Sequence, residues 1–223
     1  MFTLEYAVGN QVPLELDGAI EALDDDAPRP EPISDEPVSF AEAEGHSSWR
    51  KAMEEEMASI EENRTWSLVD LPHGRRAIGL KWVYKVKRDE NGVVAKYKAR
   101  LVVKRYVQCQ GIDYDEVFAL VARLDMVHLL IALAVHEGCE VHHMDVKSAF
   151  LNGDLKEEVY VEQPAGFIST GNEYKVFKLK KSLYDLHQAP RAWNAKLDET
   201  LLSFIFRRSL SKHAIYTKRN EEA

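Results

Sequence analysis

The sequence has 223 residues, enough for one or two domains with a sizeable core. A hydrophobic content of 45% with 30% charged residues fits a soluble globular protein. It contains neither an apolar run long enough for a membrane helix nor a basic start followed by an apolar signal segment. Cys109 and Cys139 form no disulfide framework or zinc spacing, so a reducing, intracellular compartment is expected. The net charge of −8 is unevenly divided: residues 1–62 carry 17 acids and 3 bases, and residues 63–223 carry 20 acids and 26 bases. The acidic part is a separate electrostatic unit. The mildly basic remainder suits a polyanionic partner without requiring one.

Residues 1–46 combine Asp24, Asp25 and Asp26 with Pro28, Pro30, Pro32 and Pro37, a composition that buries too little apolar surface to order itself. It reads as a disordered acidic linker. Ser47 or Ser48 then caps a predicted helix whose apolar positions Trp49, Met53, Met57 and Ile60 share one face, and Asn63 ends it. Residues 66–71 alternate like a short strand. From Lys81 to Arg88 the alternation resumes, with Trp82, Tyr84 and Val86 on one side and Lys81, Val83, Lys85 and Lys87 on the other. The Asn91-Gly92 pair signals a hairpin turn, and residues 93–103 form the returning arm, with Lys96, Lys98 and Arg100 on one face.

Residues 124–135 are apolar almost all round and predict a buried helix, closed by Gly138. Residues 139–146 predict a strand, 159–161 and 176–179 further short strands, and 214–217 a last one. Pro190 sits suitably in the first turn of a helix running through Leu197, Leu201 and Leu202.

One stretch stands out, Val141-His-His-Met-Asp-Val-Lys-Ser-Ala-Phe-Leu-Asn-Gly153. It places a single acid, Asp145, at the end of an apolar strand, before a polar turn and Phe150. A carboxylate so placed can hold a hard divalent cation, and it can equally cap a strand-to-turn junction. His142 and His143 are adjacent on the predicted strand, point to opposite faces and do not suit one shared metal. No Gly-rich phosphate loop and no nucleophile motif is present.

Five blocks carry a resemblance. They are the run from Trp49 through Ala52-Met53, Glu56, Ile60, Asn63 and Thr65-Trp66 to Leu71-Pro72; KWVYKVKRDENGVVAKYKARLVVK at 81–104; GIDYDEVFA at 111–119; MDVKSAFLNGDLKEEVYVEQPAGF at 144–167; and LKKSLYDLHQAPRAW at 179–193. In order and spacing they resemble the reverse transcriptase of copia-type LTR retrotransposons. The resemblance implies an α+β fold: a partial fingers and palm, residues 47–223, behind the acidic arm 1–46. The fingers hairpin would be 81–104 and the incomplete palm 139–223, with its sheet around 139–180. It implies RNA-directed DNA polymerisation with Mg²⁺ as cofactor and dNTPs and an RNA or DNA primer–template as partners, inside the cell or a virus-like particle. Asp145 matches the first metal-binding aspartate, with the Val146 carbonyl as a further ligand. Lys98 and Arg100 match the phosphate-clamping fingers positions. Ser148 and Ala149 would offer backbone N–H groups to the triphosphate. Phe150 matches the aromatic that excludes ribonucleotides, and Gln188 the glutamine near nucleotide and template.

The family's second acidic motif, Tyr-Val-Asp-Asp, has no counterpart, because no Asp-Asp pair follows Asp145. Two Mg²⁺ ions need several carboxylates, so the expectation is a fragment inert by itself. The alternative is a non-catalytic nucleic-acid-binding module built on the basic hairpin. Arg105, Leu120 and Asp185 stand where the family shows glycine, proline and glycine. An incomplete palm sheet would also leave an unpaired edge and lower solubility.

Overall fold

The computed structural model describes residues 36–120, 122–209 and 214–218. The expected linker falls mostly outside these residues, but its last part is folded. Ser39 accepts from the Glu42 N–H and caps helix α1 (Phe40–Glu44), whose Ala43 is fully buried. The correction has a simple cause: Phe40 and Ala43 give this end of the segment an apolar contact with the core.

Helix α2 (Ser47–Glu62) follows after Gly45 and His46. His46, not a serine, occupies its cap position and makes no side-chain cap bond. Arg50 instead donates to the Glu44 carbonyl at 2.9 Å and ties the two helices together. The buried stripe is the expected one, Trp49, Met53, Met57 and Ile60 with Ala52, and Asn63 closes the helix by donating to the Ser59 carbonyl.

Strands β2 (Leu80–Arg88) and β3 (Val94–Val103) form the expected hairpin, with Trp82 opposite Leu101, Lys85 opposite Lys98 and Lys87 opposite Lys96. The turn differs from a two-residue Asn-Gly turn. Asp89 Oδ1 accepts from the N–H groups of Asn91 and Val93, Gly92 alone takes a left-handed φ of 79°, and a bulge follows Lys87. The Asp89 side chain thus builds a longer loop with glycine at the left-handed position. The inner face of the hairpin packs on α2. Trp49 meets Tyr84 and Tyr97 edge-on at 5.2 and 4.7 Å.

A second sheet has the order β1-β5-β4, all antiparallel, from β1 (Trp66–Val69), β4 (Tyr160–Val161) and β5 (Val176–Leu179). Trp66 stacks on Phe177 at 4.3 Å. The outer side of β4 is met by Ile78, which donates to Tyr160 and accepts from Glu162. Leu151, Leu183, Leu186 and Ala189 join α2, the hairpin and this sheet in one core. Helix α4 (Ala189–Ser203) carries proline in its first turn as expected, and β6 (Arg207–Arg208) pairs with β7 (Tyr216–Thr217).

Two expectations fail. Helix α3 (Leu124–Glu137) forms and ends at a left-handed Gly138, but it is not buried. Only its Ala134 is buried, while Leu129 is 58% and Val135 75% exposed. The expected strand at 139–146 is also absent: these residues have no regular structure and pair with nothing in a sheet. The failures share a cause. An apolar run specifies burial only if other elements cover it, and no described element covers α3 or offers 139–146 an edge. The overall class is the expected α+β, a partial reverse-transcriptase-like arrangement of helices and small sheets.

Candidate nucleotide and nucleic-acid site

The turn after Asp145 is held from three sides. Ser148 takes φ 53°, and its carbonyl accepts from Leu151 N–H at 2.9 Å and from the Asn152 amide at 3.2 Å, closing a 3-10 turn over Ala149–Asn152. The Ser148 hydroxyl lies 3.3 Å from that of Ser59 on α2. Ser182 donates its hydroxyl to the Phe150 carbonyl and its N–H to the Gly153 carbonyl. Gly153 is required here because a Cβ would come within 2.7 Å of the α4 backbone at Ala192 and Trp193.

Tyr184 joins this turn to the hairpin. Its carbonyl accepts from Val103 N–H at 3.0 Å, at the last pair of the β2–β3 ladder, Leu80 opposite Val103. Its ring meets Phe150 edge-on at 5.8 Å, and the Arg100 guanidinium lies 5.3 Å from the ring centroid. Beneath Arg100, Glu56 of α2 accepts from Leu101 N–H at 3.3 Å. Burial pushes the Glu56 carboxyl above its ordinary range, against the lowering effects of that bond and of Arg100. Burial likewise raises the Tyr184 phenol, and the Glu56 charge adds to it. Arg100, Tyr184 and Phe150 therefore form one contact chain from the fingers-like hairpin to the turn that Ser148 begins.

Gln188 lies elsewhere. It is 1% exposed, and both ends of its amide are engaged inside the protein. Its Nε2 donates to the Asp113 carbonyl at 2.9 Å, and its Oε1 accepts from Gln108 Nε2 at 3.1 Å. Gln108 in turn accepts from His187 N–H, and Asp113 accepts from Cys109 N–H and pairs with Arg76 at 2.6 Å. That network staples segment 108–113 to the start of α4. Burial leaves the Gln188 amide no open side, so it acts as a pin between the two segments.

Asp145 is exposed and forms no hydrogen bond or ion pair among the described residues. Nor do the described residues contain a group of three His, Cys, Asp or Glu side chains arranged to hold a metal. One carboxylate and the Val146 carbonyl do not fit a two-metal centre, which needs several acids. Lys98 is exposed on the outer hairpin face, opposite Lys85. Ala149 is buried in the 3-10 turn. Tyr184, Glu56, Gln108, Asp113 and Arg76 were not singled out from the sequence. Most lie inside or beside the resembling blocks, but periodicity cannot show that residues 80 positions apart meet.

A family profile described as reverse transcriptase (RNA-dependent DNA polymerase) matches residues 63–223. The chain belongs to that family. It is 45% identical over 195 residues to the retrovirus-related Pol polyprotein from transposon TNT 1-94 of Nicotiana tabacum, covering 85% of this chain and 15% of that protein. It is 38% identical over 182 residues to the corresponding polyprotein from transposon RE1 of Arabidopsis thaliana, covering 81% and 12%. An uncharacterized mitochondrial protein of Arabidopsis thaliana is 35% identical over 102 residues, 46% of this chain and 60% of its own length. This reverse-transcriptase segment thus spans about a seventh or less of the two polyproteins. No solved structure matches. Among the described residues, no helix is long and apolar enough to cross a membrane.

Proposed function

We propose that this reverse-transcriptase segment is the nucleotide-facing part of a retrotransposon RNA-directed DNA polymerase, inert in polymerisation by itself. The contact chain Arg100–Tyr184–Phe150 carries this reading. Arg100, held against an aromatic face with Glu56 beneath it, is a preorganised cation for triphosphate oxygens. Lys98 adds charge on the same strand face. Phe150, braced by Tyr184, closes on the sugar, and the Ser148 and Ala149 backbone N–H groups face the phosphates. Gln188 acts at one remove, by fixing segment 108–113. Mg²⁺ is the cofactor the family implies, and when bound it would neutralise the triphosphate. Asp145 and Val146 offer it too few ligands, and no step is drawn through it.

A second reading, a non-catalytic nucleic-acid-binding module, is favoured by the hairpin face. Lys85 faces Lys98 and Lys87 faces Lys96. Like charges directly opposite cost stability in isolation, and a polyanion offsets that cost.

Primer-extension and binding assays on the purified chain test both readings. The expected result is salt-sensitive binding of a primed RNA template and of dNTP, without extension. Steady Mg²⁺-dependent incorporation would overturn inertness. Absence of binding at low salt would overturn the nucleic-acid reading.

A further inference from the structure

Tyr184 covers the outer face of the hairpin at its Val102 and Arg100 end, and the rest of that face is exposed among the described residues. Register places Lys81, Val83, Lys85 and Lys87 of β2 beside Lys96, Lys98 and Arg100 of β3, all exposed. Lys96 meets Glu55 at 3.5 Å, and Lys85 meets Glu36 at 3.2 Å. Lys81, Lys87 and Lys98 have no ion pair among the described residues. The Glu36 contact is double: its other oxygen accepts from Val86 N–H at 2.8 Å. Glu36 is therefore clamped to the hairpin, by a carboxylate on a backbone donor of β2.

The sequence before Glu36 complements that face. Residues 1–35 hold nine acids, among them Glu31, Asp35 and the run Asp24, Asp25 and Asp26, against Arg29 as the single base. We propose that this acidic segment docks across the outer hairpin face and occupies it in place of nucleic acid. The distances allow it. A strand rises about 3.3 Å per residue, so Lys81 to Lys87 spans roughly 20 Å, while the chain from Asp24 to Asp35 reaches roughly 35 Å when extended. Pro28, Pro30 and Pro32 favour the extended form that lies along a sheet. Tethering supplies the acids at an effective concentration on the order of millimolar, so individually weak exposed pairs can act together. The interaction is electrostatic and fades with salt.

That the face also receives nucleic acid rests on the second reading above, so the test has two arms. In the first, the full chain is treated with a zero-length carboxyl–amine cross-linker and mapped by mass spectrometry. Links from Asp24, Asp25, Asp26 and Glu31 to Lys81, Lys85, Lys87, Lys96 and Lys98 are expected at low salt and should vanish at about 0.5 M salt. Links spread evenly over all lysines, or none, overturn the docking. In the second, the full chain carrying Asp24→Asn, Asp25→Asn and Asp26→Asn is compared with wild type for a single-stranded oligonucleotide. The variant should bind about three- to tenfold more tightly at low salt and equally at high salt. Equal binding at low salt overturns the competition. Specific cross-links without oligonucleotide binding by either chain uphold the docking and refute only the nucleic-acid reading.

Discussion

Replacing Gln188 with leucine tests whether the buried amide is a structural pin. The substitution is close to volume-conserving, so it creates little cavity. It removes two hydrogen bonds and strands two groups inside the protein: the Gln108 Nε2 donor and the Asp113 carbonyl. Each stranded group costs about 1–3 kcal/mol, and the added apolar burial returns part of that. A net loss of roughly 2–4 kcal/mol is expected, against a total of about 5–15 for a domain. Urea unfolding followed by tryptophan fluorescence reads this as a midpoint lowered by about 1–2 M at an m-value near 2 kcal/mol/M. Because Gln108 and Gln188 share one bond, the double leucine variant should cost about 1 kcal/mol less than the two single changes added together. A loss below about 0.5 kcal/mol for Gln188→Leu, or strict additivity in the cycle, would refute the pin.

Asp185 sits at φ 68°, so Asp185→Gly should raise stability by about 0.5–1 kcal/mol in the same unfolding assay. Gly153→Ala should lower it by about 1–3 kcal/mol, since the new methyl meets helix backbone. Glu56 has its carboxyl raised by burial, so the folded chain holds that proton more tightly than the unfolded chain. Its contribution is therefore fully present below the ordinary value of 4.5 and is lost as pH rises through the higher folded value. Glu56→Gln should stabilise the chain at neutral pH and flatten the trend above pH 4.5, checked by unfolding midpoints against pH. Glu158, lowered by its bond to Lys178, acts in the opposite sense below that value. Leu129→Lys with Leu133→Lys on exposed α3 should reduce light scattering at high concentration while changing stability by no more than about 0.5 kcal/mol.

Local pattern made some elements legible. The α2 stripe, the Lys/Val alternation of β2 and the arms around Asp89–Gly92 each repeat at the period of their own backbone, so sequence order was enough to place them. The motif blocks likewise made Arg100 and Phe150 visible as candidates. Pattern misled at α3 and at 139–146, where apolar composition suggested burial that no described neighbour supplies.

By itself the sequence determined the family, the helix and hairpin periods, and the separation of an acidic segment from a basic body. These depend on neighbours within a few residues or on the order of motifs. Tertiary structure alone decided that Tyr184 links Arg100 to Phe150, that Gln188 faces Gln108 and Asp113, and that Glu36 clamps the hairpin. Those contacts join residues 34 to 84 positions apart, and only the packing of separate elements against one core brings them within bonding distance.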